Sequence, residues 1–153
     1  MGIVNGTTNY ILTKMFEENM SFEAALAKAT ELGYAEADPT ADVEGLDAGR
    51  KVAILSSIAF HSRVQFKDVY TEGITKITAE DIAYAKEFDC VIKLLAVAHN
   101  TDKGIEVGVY PVLLRPCGIR SMLFLCTEML WMMRCFTEEV PGRCRRQVLL
   151  SVM

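Results

Sequence analysis

The chain has 153 residues, 51% of them apolar and 24% charged, with a formal net charge of −4 and a pI near 5.2. That is enough apolar material for one domain with its own core, and the acidic balance argues against a nucleic-acid partner. No apolar run reaches the roughly 18–20 residues that a membrane span needs, and the polar N-terminus lacks the charged-then-apolar pattern of a secretory leader.

In chain order, a helix is expected over residues 8–16, entered from the polar loop NGTT. Ser21 stands where an N-cap belongs, followed by Phe22, Ala25, Leu26, Ala29 and Leu32 at helical spacing. Gly33 is placed to stop that helix as its C′ residue. Residues 46–60 read as a mostly buried helix, residues 69–77 as extended, and residues 78–88 as a helix with Thr78 and Asp81 set for a capping box. Residues 91–99 and 105–113, joined by the turn NTDKG, read as a β-hairpin. This mixture predicts an α+β fold, a mixed or antiparallel sheet covered on one face by helices.

Residues 33–51, GYAEADPTADVEGLDAGRK, hold the chemistry. Glu36, Asp38, Asp42 and Asp47 share this stretch with Lys51. Asp47 and Lys51 stand four apart, on one face of a helix beginning near Leu46. An acid and an ammonium beside a Gly/Asp/Pro loop suit a small molecule bearing an amine and a polar oxygen. The competing interpretation is a solvated surface pair, which stabilises a helix by roughly 0.2–0.5 kcal/mol. Against it, the acids are spaced irregularly through a turn. Lys51 also opens the apolar run VAILSSIAF, so its stem is expected in partly buried surroundings, where an ammonium pKa falls. His61 and His99 have no metal-ligand partners at useful spacing, and no metal is expected. His61 fits better as a helix-ending residue, and Cys90, ahead of an apolar strand, as a core thiol. Cys90 is the one cysteine before residue 114, which suits a reduced, cytoplasmic protein.

The block ADPTADVEGLDAGRK, with ELGYAE before it and GIVNGTTNYILTKM upstream, closely resembles the homoserine dehydrogenase signature. KLLAVAH and IEVGVYP extend the resemblance from residue 2 to 111. It implies the catalytic domain of an oxidoreductase that reduces aspartate semialdehyde to homoserine with NADP or NAD, towards threonine, methionine and isoleucine. It also implies Lys51 as proton donor to the substrate oxygen, and Glu36, Asp47 and Asp42 as the acids around homoserine. Gly6 and Thr7 would form a loop approaching the substrate, and Gly33 a backbone position beside the cofactor. A homodimer formed through the sheet is implied as well.

No G-x-G-x-x-G turn follows a strand anywhere in the chain. The family's nucleotide-binding domain, its second lysine and its monovalent-cation loop would lie upstream of Met1, so a catalytic-domain fragment is expected. Two functions of different class stay open: a homoserine dehydrogenase by lineage, and a non-catalytic fragment that folds and self-associates without turnover.

Residues 114–153 are of another kind, with four of the five cysteines and Trp131. The family's closing Gly-rich segment is not visible there. Back-translating CFTEEVPGRCRRQVLL and shifting the frame by one base allows MFYGRGAGKMPTASAV, and EMLWMMRC allows GDAVDDAM, both family-like. The first expectation is therefore a catalytic domain over residues 1–113 and an out-of-frame tail, with the shift near residues 112–116. A cover helix over residues 121–136 comes second. A membrane-surface helix comes last, because Glu128, Glu138 and Glu139 oppose it.

Overall fold

The computed structural model describes residues 1–102 and 104–115. The tail beyond residue 115, including the cover helix expected at 121–136, lies outside the described residues. The elements in order are α1 (Gly6–Glu18), α2 (Phe22–Glu31), α3 (Thr40–Val43), α4 (Leu46–Ala59), a 3-10 turn (Phe66–Asp68), β1 (Tyr70–Thr71), α5 (Ala79–Glu87), β2 (Val91–Thr101) and β3 (Gly104–Leu114).

Local chemistry explains most of these boundaries. Asn5 caps α1 by accepting from the Thr8 N–H, and Ser21 caps α2 by accepting from the Ala24 N–H. Gly33, at φ +75°, turns the chain out of α2 in the left-handed conformation that a glycine adopts freely. Thr78 and Asp81 form a reciprocal capping box at the start of α5. Four helices and the hairpin thus stand close to their expected positions.

The sheet has three strands in the order β1-β3-β2. β2 and β3 pair antiparallel from Val91↔Leu114 to Thr101↔Gly104, and β1 pairs parallel with β3 at Tyr70↔Gly108. Strand alternation sorts the side chains. Leu94, Ala96 and Val109 join the main core with Ile11, Leu12, Met15, Val52 and Ile74. Leu95, Val97 and Val112 cluster on the opposite face with Met1, Ile3 and Tyr110. Ile11, Leu12, Met15 and Ile74 are essentially solvent-free, and full burial of such a side chain stabilises by about 1.5–3 kcal/mol. The fold is α+β with a small mixed sheet, as expected.

Two expectations need correction. Residues 69–77 are extended only at Tyr70–Thr71. Beyond them the Ile74 N–H donates to the Val43 carbonyl at 2.8 Å, and a β-carbon on Gly73 would collide with the Val43–Glu44 backbone. That close approach draws the chain out of the sheet and onto α3, a short helix the sequence pattern does not announce. α4 is also less buried than its composition suggests. Val52, Ala53 and Ser56 face the core, while Ile54 and Ile58 are each 62% exposed beside Lys51. The Lys51 side chain is half exposed.

Candidate functional site

α4 positions Asp47 in its first turn and Lys51 one turn later on the same face. The Lys51 Nζ lies 2.7 Å from Asp47 Oδ2 and also donates to the Val4 carbonyl at 3.3 Å. An ammonium has three N–H donors, so one remains for a ligand. Alone, a pair this exposed contributes about 0.3–0.5 kcal/mol to a helix. What separates it from an ordinary surface pair is its link to Asn5, buried at 5% exposure.

The Asn5 Nδ2 donates to Asp47 Oδ2 at 2.9 Å and to Asp42 Oδ1 at 2.6 Å. Three elements therefore meet at one point: the start of α1 through Asn5, α3 through Asp42 and α4 through Asp47. For Asp47, partial burial works against the charged form. The hydrogen bonds from Lys51 and Asn5 outweigh it, with smaller help from the Lys51 and Arg50 charges, and hold the carboxyl below its ordinary value. The site thus sets two carboxyl groups, Asp42 and Asp47, against one buried amide, with the Lys51 ammonium at its edge.

Of the residues singled out in the sequence, Lys51, Asp47 and Asp42 are brought together. Glu36 is exposed in the loop after α2, and no hydrogen bond or ion pair joins its carboxylate to another described residue. That loop is tied to the site's neighbourhood two residues earlier, where the Thr7 hydroxyl donates to the Tyr34 carbonyl at 2.7 Å. Asp38 bonds to Thr40 at the head of α3: its carboxylate accepts from the Thr40 N–H, and hydrogen bonds from the Thr40 side chain and then its backbone hold its pKa below the ordinary value. Gly6 and Gly33 both have open space where a β-carbon would stand, which leaves room for a ligand to approach the backbone. The sequence pattern missed Asn5. Its signal was present as a capping residue ahead of α1, but capping alone does not distinguish a site.

Elsewhere, a shallow cavity of about 430 Å³ is lined by Phe60, Arg63, Asp68 and Asn100. It includes no residue of the Lys51 cluster. Among the described residues, no group of three or more His, Cys, Asp or Glu is placed to hold a metal, and no helix is long and apolar enough to cross a membrane. His61 is exposed just after α4, at φ +50°, and Cys90 is buried. Among the described residues, β1 leads into α5 through a segment with one glycine, Gly73, whose backbone is packed on α3. That turn offers no cradle for a pyrophosphate.

A family model described as homoserine dehydrogenase matches residues 1–123. A curated homoserine dehydrogenase of Mycobacterium bovis is 56% identical over 117 residues, covering 73% of this chain and 26% of that protein. The crystal structure of S. aureus homoserine dehydrogenase at pH 7.5 superposes with a TM-score of 0.72 at 45% identity, over 73% of this chain and 28% of that one. A hyperthermophilic archaeal homoserine dehydrogenase mutant in complex with NADPH superposes with a TM-score of 0.55 at 28% identity, over 72% and 30% of the two chains. The chain spans about a quarter of the length of the curated relatives it matches. It belongs to the homoserine dehydrogenase family.

Proposed function

We propose that Lys51, Asp47, Asp42 and Glu36 form the homoserine side of a homoserine dehydrogenase active site, with Gly6 and Thr7 as the loop that approaches the substrate. The reaction is the NAD(P)H-dependent interconversion of aspartate semialdehyde and homoserine. The observation that carries this proposal is the Lys51–Asp47 contact of 2.7 Å, anchored through buried Asn5 to Asp42. Homoserine offers an ammonium for the carboxylates and a hydroxyl for the lysine. In the reducing direction the carbonyl oxygen gains negative charge. Lys51, held in place by Asp47, stabilises that oxygen with its remaining N–H and donates the proton.

In this reading Lys51 meets the oxygen end of the substrate, and Asp42, Asp47 and Glu36 meet its amine end. The NADPH in the archaeal relative supports a nicotinamide partner, and Gly33, with its open side, is proposed to lie beside it. The lack of a pyrophosphate cradle among the described residues favours the second interpretation, a fragment that binds without turnover. Both share one site and differ in catalysis.

Calorimetric titration of L-homoserine into the 153-residue chain tests the assignment. Weak binding, in the millimolar range, is expected for the wild type and is lost in Asp47→Asn and Lys51→Ala. Equal binding by all three proteins would contradict the site.

A further inference from the structure

Asn5 is the most fully bonded polar side chain near the site, and capping α1 accounts for only part of its bonding. Its amide group offers two donors and two acceptor lone pairs, and all four are used. The Oδ1 accepts from the Thr8 N–H at 2.9 Å and the Thr8 hydroxyl at 3.0 Å, while Nδ2 donates to Asp42 and Asp47. The opposite orientation of the amide would set its oxygen against two carboxylates and its NH2 against an N–H, so this arrangement is forced. A helix cap needs only the oxygen. The nitrogen reaches residues 37 and 42 positions away in sequence, and that reach has no bearing on capping.

We infer that Asn5 is a positioning residue for the substrate site: its buried NH2 holds the Asp42 and Asp47 carboxylates side by side, so that two like charges act as one cradle for a substrate ammonium. With its bonding capacity filled, Asn5 does not itself touch the ligand. Two carboxylates brought together without a donor between them repel and tend to share a proton. Asn5 supplies that donor without adding a charge, leaving Lys51 free to face the substrate oxygen. The charged groups facing Nδ2 are Asp42 from α3 and Asp47 from α4, and Asp47 in turn bonds Lys51 and feels the Arg50 charge. This inference rests on the function proposed above, and the test separates the two.

The experiment uses the 153-residue chain with 13C-labelled aspartate carboxyls, titrated by NMR as wild type, Asn5→Asp and Asn5→Ser. Both substitutions keep a side chain that caps helices well, and in Asn5→Ser, which adds no charge, a capping role alone predicts unchanged titrations of Asp42 and Asp47. Positioning predicts that Asn5→Asp, which sets three carboxylates together, raises at least one carboxyl midpoint by about one pH unit or more. It predicts that Asn5→Ser moves the Asp47 midpoint upward through loss of a hydrogen bond, and that either variant binds L-homoserine about tenfold more weakly. If Asn5→Asp fails to fold, Asn5→Ser decides alone. Midpoints matching the wild type in a folded variant overturn the inference. A wild type with the expected titration that binds no L-homoserine defeats the proposed substrate and leaves the positioning role standing.

Discussion

At the scale of single residues, Lys51 and Asp47 carry different kinds of consequence. In the proposed site Lys51 would meet a charge that grows during the reaction, so its effect would belong mainly to the transition state. In an assembly that includes the nucleotide-binding domain, Lys51→Ala is expected to lower kcat by about 100-fold or more, with a much smaller change in KM. Steady-state kinetics with aspartate semialdehyde check this, and an unchanged kcat would remove the role. Asp47 also has a stability signature. Its folded pKa is depressed below the ordinary 3.8, so its contribution is present above that value and lost as pH falls through the lower folded value. Urea denaturation of wild type and Asp47→Asn should show the wild-type advantage at neutral pH shrinking below about pH 3.8. A constant difference would mean the carboxylate's bonds do not matter to folding.

Among the elements, the least regular segments hold the site in place. α3 has only four residues and no apolar periodicity, and it stays put because the Gly73–Ile74 backbone lies directly on Val43 and Glu44. Gly73→Ala forces backbone apart and is expected to destabilise the chain by about 1–3 kcal/mol. Because Asp42 rides on α3, the same variant should weaken L-homoserine binding. Chemical denaturation and titration calorimetry measure the two effects. A second expectation concerns Glu18 near the end of α1. It meets Lys14 and Lys28 at 2.7 Å each, and these bonds lower its pKa to about 2. The link between α1 and α2 is therefore intact above the ordinary value of 4.5 and lost as pH falls towards about 2. Being exposed, it contributes little, and thermal melts of Glu18→Gln and wild type should converge at low pH.

These same elements mark what the sequence made legible. α2 and α5 were readable because Ser21, Thr78 and Asp81 announce their starts through local bonds, and the hairpin because apolar alternation brackets a turn. β1 and α3 were not, since tertiary contact at Gly73 decides both. The site divides in the same way. The Asp47–Lys51 spacing is visible within one helix, whereas Asn5 joins partners 37 and 42 residues away, and no local pattern encodes that. The exposure of Ile54 and Ile58 ran against composition for a similar reason: an apolar run does not state which side the core lies on.

For the molecule as a whole, the described residues hold the proposed homoserine cluster, while their one turn from strand to helix, β1 to α5, offers no cofactor cradle. The purified 153-residue chain is therefore expected to bind L-homoserine weakly and to show no measurable oxidation of it with NADP or NAD, because turnover needs the nicotinamide held at the substrate. A spectrophotometric assay at 340 nm for reduced cofactor checks this, and an ordinary enzymatic rate would require a cofactor site among residues outside those described. An out-of-frame tail is also proposed. It is in keeping with curated matches that cover 73–74% of the chain, although the family model extends to residue 123. Sequencing the gene across the codons for residues 110–116 tests it.

The most direct test of the central claim is an amide and lysine-ammonium NMR titration of the chain with L-homoserine. The arrangement of Asn5, Asp42, Asp47 and Lys51 predicts saturable shifts confined to those residues, Thr7 and the loop at Glu36, and their disappearance in Asp47→Asn. No shifts, or shifts centred on the cavity between Phe60 and Asn100, would contradict it.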